Sequence, residues 1–252
     1  MNEDTLHKMK QMKFFGMARA LNASIENEKS STMTADEMVA FLVETEWDDR
    51  NNRKIDRQIK NARFRYNACM EQMRFDVERN LDKNQIIRFA GCDFIAKKEN
   101  ILITGSTGVG KSYIASALGN QACTLGYRVF YTNSGKLFSK LKMAKADGSY
   151  LREIARLEKQ DLLILDDFGI QPLDTQTRES LMEIVEDRHG KRSTIITSQI
   201  PVKQWYEVIG EKTIADAILD RIVHNAHRIN IEGESLRKKF ASKNNVKENE
   251  DV

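Results

Sequence analysis

The chain has 252 residues, 31% charged and 40% hydrophobic, with a formal net charge of +3. That length admits one large domain or one domain plus a smaller unit, and so weak a net charge leaves any affinity for nucleic acid to a local patch. Cys69, Cys92 and Cys123 are odd in number and far apart, which excludes a disulfide framework or a zinc site, and no apolar run approaches the ~20 residues that span a bilayer.

The start, Met1-Asn2-Glu3-Asp4, is acidic and carries no apolar signal core, so a cytoplasmic location is expected. Up to about residue 95 no stretch reads as a strand. Met9, Met12, Phe15, Met17 and Leu21 recur at roughly helical spacing. Met38, Phe41, Leu42 and Val43 do so again after Thr34 and Glu37, which form a capping box. Between 50 and 65 seven cations stand against a single acid, Asp56. Of these, Arg50, Arg53, Lys54, Arg57 and Lys60 fall on one helical stripe by their i, i+3, i+4 spacing. Such a stripe suits the phosphates of duplex DNA. It also suits a solvated helix face paired with nearby acids such as Glu44, Glu46, Asp48 and Asp49. Both readings stay open.

From Asn100 to Ile231 the pattern changes. Apolar, β-type runs at 100–104, 127–133, 161–166, 193–199 and 227–231 alternate with helical segments near 111–125, 135–146, 150–159, 174–189, 201–209 and 213–224. Gly126 reads as the stop of the first helix, Asp174 as an N-cap and Pro201 as a first-turn proline. Alternation of this kind implies parallel strands covered by helices on both faces, a five-stranded α/β P-loop domain.

The P-loop is explicit. Gly105-Ser106-Thr107-Gly108-Val109-Gly110-Lys111-Ser112 follows the first strand and opens a helix, which is the G-x-x-x-x-G-K-[ST] pattern in its required setting. The glycines let successive N–H groups converge on a phosphate, and the helix adds its positive end. Lys111 can reach the β- and γ-phosphates of ATP, and the Ser112 hydroxyl can sit on Mg²⁺. The metal also needs a carboxylate. Leu162-Leu163-Ile164-Leu165 runs straight into Asp166-Asp167, so Asp166 is expected beside the loop as a Mg²⁺ ligand, with Asp167 placed to orient or deprotonate the attacking water. A Gly-rich turn and a chance acidic turn are the plain alternatives; together, in order, the two motifs speak against both. From Lys238 the chain is polar and free of glycine and reads as disordered. The expected division is a helical part at 1–95, an ATPase domain at 96–237 and a tail at 238–252.

Across nearly the whole chain these residues resemble the IstB-like transposition helper ATPases, relatives of the helicase loader DnaC within the AAA+ class. The resemblance is carried by Phe15-Gly16-Met17-Ala18-Arg19-Ala20-Leu21, by Glu44-Thr45-Glu46-Trp47 with Arg50 and Arg53, and by Asn61-Ala62-Arg63-Phe64. It continues through Asp161-Leu162-Leu163-Ile164-Leu165-Asp166-Asp167-Phe168-Gly169, Ser193-Thr194-Ile195-Ile196-Thr197-Ser198-Gln199, Ala217-Ile218-Leu219-Asp220-Arg221-Ile222 and Gly233-Glu234-Ser235-Leu236-Arg237. It implies an AAA+ strand order and a nucleotide held between neighbouring subunits of a homo-oligomer. The polar end of the fourth strand, Thr197-Ser198-Gln199, would be the sensor near the γ-phosphate and attacking water, with Ser198 and Gln199 as its site residues. Arg221 would be the arginine finger and Arg237 the second sensor. Plain alternatives are a pair between Arg221 and Asp220 or Asp216, and an Arg237 that belongs to the basic tail. Many AAA+ enzymes carry Asp-Glu where this chain has Asp166-Asp167, which implies slower hydrolysis. The implied function is an ATP-dependent regulator that assembles on duplex DNA and assists a transposase in target selection and strand transfer. A replicative helicase loader of the DnaC type is the alternative. A small-molecule kinase would want an Arg-rich lid and an acceptor pocket, and the sequence shows neither.

Overall fold

Five apolar runs become the five strands of one parallel sheet: β1 (Asn100–Gly105), β2 (Val129–Asn133), β3 (Leu162–Phe168), β4 (Ser193–Ser198) and β5 (Ala226–Ile231), in the spatial order β2-β3-β4-β1-β5. Helices α1 (Asn2–Gln11), α2 (Phe15–Glu26) and α3 (Ala35–Ala62) come first. Then α4 (Lys83–Ala90) and α5 (Asp93–Ala96) lead into β1, and α6 (Lys111–Thr124) follows it. Helices α7 (Ser134–Asp147) and α8 (Tyr150–Glu158) precede β3, α9 (Thr175–Arg188) joins β3 to β4, and α10 (Trp205–Ile209) and α11 (Lys212–Val223) precede β5. The computed structural model describes residues 2–27, 33–75 and 79–236, so Arg237 and the tail 238–252 lie outside the described residues. Among the described residues no helix is long and apolar enough to cross a membrane.

The central strands are apolar on both faces because both faces are covered. Alternate residues feed two cores. Ile101, Ile103, Ile164 and Ile195 pack with Ile114 and Leu118 of α6; Leu102, Leu163, Leu165 and Ile196 pack with Leu181 of α9 and Ile218 of α11. Register aligns the carboxyl ends of four strands, with Thr104 beside Ser198 and Asn133 beside Asp166. That alignment gathers the loop, the acids and the end of β4 at the carboxyl end of the sheet.

By contact the chain divides into Met1–Arg57 and Gln58–Val252, rather than near residue 95. The reason is packing. Ala62, Ala68, Met73, Leu81, Ile86, Phe89 and Cys92 belong to the same core as β1 and α6. Gly119 of α6 has no room for a Cβ, which would meet the Phe64 ring at 2.5 Å and Ile164 at 2.7 Å. Asn120 Nδ2 also donates to the Ala68 carbonyl at 3.0 Å, so the segment after α3 is fastened to α6.

In the first unit α2 begins without a cap from its own side chain at Phe14. Glu46 of α3 supplies one: its Oε2 accepts from the N–H groups of Gly16 at 2.7 Å and Met17 at 3.1 Å, satisfying donors that a helix start leaves open. Only glycine allows this approach, since a Cβ at Gly16 would meet the Thr45 carbonyl at 2.7 Å. The capping box forms as expected, with Glu37 Oε2 accepting from Thr34 N at 2.7 Å. Asp174 caps α9 by accepting from Thr177 N at 3.0 Å. Pro201 differs from its expected place: it is extended and precedes a 3₁₀ turn, Val202–Gln204, so α10 starts four residues later.

Candidate nucleotide site

The loop between β1 and α6 turns on Gly108 and Gly110, at φ +86° and +101°. Both positions are crowded as well as left-handed. A Cβ at Gly108 would overlap the Ser235 side chain, and one at Gly110 would lie 3.3 Å from the Arg79 guanidinium. Leu236 N donates to Gly108 O at 3.0 Å and Ser106 Oγ to Gly233 O at 3.4 Å, so residues 233–236 lie across the loop. From the other side Arg79, 6% exposed, donates to Val109 O at 3.3 Å. Lys111 heads α6, and its Nζ donates to Gly105 O and Ser106 O, each at 2.8 Å. The ammonium is thus held inside the loop's own curve, where phosphates are bound in sites of this kind.

Asp166, at 0% exposure, is the hub. Its Oδ1 accepts from Ser112 Oγ at 2.7 Å and Thr197 Oγ1 at 2.5 Å, and its Oδ2 accepts from the Tyr131 hydroxyl and from Arg65 Nη1 at 3.4 Å. Burial, helped by the Asp166 carboxylate, pushes the Tyr131 phenol well above its ordinary value, so it remains a donor. Asp167 follows at a break in the β3–β4 register, with φ +58°. Left-handed backbone at an aspartate beside a bulge re-aims the side chain. Thr197 Oγ1 accepts from Asp167 N at 3.0 Å, and the Asp167 carboxylate accepts from Arg65 Nη1 at 3.1 Å and Asn133 Nδ2 at 3.3 Å. The oxygens of Ser112 and Asp166 fit Mg²⁺, a hard cation that takes one or two carboxylates and completes its shell from phosphates and water. Among the described residues no three His, Cys, Asp or Glu side chains form a closed metal cage.

Several expected site residues therefore converge: Gly105 to Ser112, Asp166, Asp167, and Gln199, whose Oε1 accepts from Thr107 Oγ1 at 2.7 Å. Ser198 does not. Its hydroxyl is buried and donates to Phe168 O at 2.7 Å, because along a strand its side chain points to the face opposite Thr197. Thr197 takes its place beside Asp166. Arg221 lies elsewhere. Asn100, where β1 starts, bonds to Asn225 and Ile222 next to it, whereas the loop follows the other end of that strand, roughly 16 Å away at strand rise. Its partner is Glu186 at 2.7 Å, neither Asp220 nor Asp216. The basic run of α3 splits in two. Arg50 pairs with Glu46 at 2.7 Å and Arg53 with Asp49 at 2.7 Å, and each stacks over a ring, Phe14 or Phe15, at 5.2 Å. Lys54, Arg57 and Lys60 are exposed and make no ion pair among the described residues.

Arg65, Arg79 and Tyr131 are site residues that spacing did not reveal. Arg65 was visible only as one cation of a basic run, although it follows the family-like Asn61-Ala62-Arg63-Phe64 directly.

The sequence matches the family described as IstB-like ATP binding protein over residues 7–244. An insertion-sequence ATP-binding protein of Sinorhizobium fredii, y4pL, is 46% identical over 234 residues, which is 93% of this chain and 96% of that one. Among solved structures, DnaI superposes with a TM-score of 0.56 at 26% identity, covering 66% of this chain and 91% of that one. The DnaC helicase loader superposes at 0.55 and 20% identity, over 66% and 97%, a likeness of fold alone. The fold is the AAA+ P-loop fold, with a helical region before it.

Proposed function

The chain belongs to the IstB-like ATP-binding protein family and is an AAA+ ATPase, and from that premise we propose that it serves an insertion sequence, assembling with ATP on duplex DNA and helping a transposase engage its target. The name of y4pL, an insertion-sequence protein, supports the setting. The meeting of Ser112 and Asp166 at 2.7 Å, beside a loop that curls around Lys111, carries the site.

Within that reading Ser112 and Asp166 hold Mg²⁺, and Lys111 binds the terminal phosphates. When bound there, Mg²⁺ supplies positive charge to the β- and γ-phosphates. Asp167 takes the proton of a water that bonds to the γ-phosphorus while the bond to the bridging oxygen breaks, leaving ADP and phosphate. Gln199, held by Thr107, orients the same water. Arg221 sits beyond the amino end of β1, away from the loop, in a pair whose acid is 57% exposed, which supports a role in a neighbouring subunit's site. The resemblance gives Arg237 the second sensor's role. Lys54, Arg57 and Lys60 are better DNA candidates than Arg50 and Arg53, whose charges are already matched within their own helix.

Phosphate release by wild type and Lys111→Ala, with and without duplex DNA, tests the ATPase part: only wild type should turn over. Capture on the immobilised chain tests the partner. Retention of the transposase of the same insertion sequence supports this reading, and retention of a replicative helicase instead supports a loader.

A further inference from the structure

Arg65 stands in the middle of the hydrolytic apparatus and has no role in the scheme above. Its Nη1 touches Asp166 at 3.4 Å and Asp167 at 3.1 Å, the two acids that serve the metal and the water. Its side chain is 44% exposed, against 0% and 19% for the acids, so it is the member of this cluster that can move. Every hydrogen bond it makes passes through Nη1, which leaves Nε and Nη2 of the fork without a hydrogen bond among the described residues. One carboxylate, Asp166, bridges it to Ser112 at the loop.

The backbone under Arg65 is fixed. Phe64 is wedged against Gly119 and Tyr131, and Arg63 turns the chain at φ +60°. The guanidinium therefore swings from a fixed post. Two positive groups compete for these carboxylates once Mg²⁺ arrives with ATP, because each neutralises the same charge. A terminal phosphate offers the displaced guanidinium a planar pair of oxygens, to which arginine binds with two parallel hydrogen bonds. ADP lacks that group.

We propose that Arg65 is a nucleotide sensor within its own subunit, exchanging the Asp166–Asp167 pair for the γ-phosphate of ATP and returning to the acids with ADP. This rests on the assignment of Asp166 and Asp167 proposed above. Arg65 lies three residues beyond the end of α3, the helix that carries Lys54, Arg57 and Lys60.

The test is equilibrium binding, by calorimetry, of AMPPCP and ADP with Mg²⁺ to wild type, Arg65→Ala and Arg65→Lys, with thermal melting to check folding. Losing a charge-assisted bidentate contact should weaken AMPPCP roughly 10- to 100-fold in Arg65→Ala, with ADP unchanged within about twofold. Arg65→Lys, which keeps the charge without the fork, should fall between, and it carries the test if Arg65→Ala does not fold. A parallel change for both nucleotides, or AMPPCP affinity that stays the same or rises, overturns the proposal and makes Arg65 a brace of the acids. Lys111→Ala in the same assay judges the site separately: wild-type affinity there would mean that the loop is not the nucleotide site, and the sensor falls with it.

Discussion

Asp166 and Asp167 are adjacent in sequence yet differently built, and substitution should separate them. Asp166 is buried with four side-chain donors; Asp167 is turned out by a left-handed backbone at a bulge and accepts from Asn133 and Arg65. Replacing Asp167 by Asn keeps shape and removes the proton acceptor. Asp167→Asn should therefore bind ATP like wild type but release phosphate about 10²- to 10⁴-fold more slowly. Equal turnover would remove Asp167 from the chemistry. The loop and both acids were legible in the sequence because their motifs are contiguous, each defined by a strand and the residues that follow it. Arg65, Arg79 and Tyr131 were not, since each reaches the site from a separate segment and its residue type says nothing without the fold. Ser198 was misplaced for a simpler reason: neighbouring residues of a strand face opposite ways, and Thr197 holds the inward position.

At the scale of elements, the strands and most helices followed from period and punctuation, and the Thr34–Glu37 box and Asp174 cap formed where their residue types demand. The division at Arg57/Gln58 was hidden because residues 62–75 and 79–92 join the core of β1 and α6 through scattered apolar side chains from short elements, of which only α4 is as long as two turns. The α2–α3 joint carries a pH dependence. Burial alone would raise the Glu46 carboxyl, but Arg50 and the N–H groups of Met17 and Gly16 hold it below the ordinary 4.5. A carboxyl lowered on folding adds stability that is fully present above its unfolded value and is lost as pH falls through the folded one. The stability difference between wild type and Glu46→Gln, followed by helix content during urea titration, should thus be largest near neutrality and shrink as pH falls below about 4.5. A difference that stays constant down to pH ~3 would show that the charge on Glu46 does not hold the joint.

At the scale of the whole molecule, a net charge of +3 gives one copy little grip on DNA. If ATP assembles copies on a duplex as proposed, Lys54, Arg57 and Lys60 repeated along the oligomer would add by avidity. If Arg221 completes a neighbour's site, Arg221→Ala and Asp167→Ala should each be nearly inactive alone, and mixing them should restore turnover, because one supplies intact sites and the other intact arginines. An inactive mixture would place Arg221 in its own subunit's structure, with Glu186 as its purpose. The most direct measurement is sedimentation of a fluorescent duplex at low salt with wild type, with and without ATP and Mg²⁺. The duplex should move in a multi-copy complex only when nucleotide is present, and Lys111→Ala should leave it free. A duplex bound equally well without nucleotide, or carried by single copies, would contradict the claim that ATP builds the DNA-binding form.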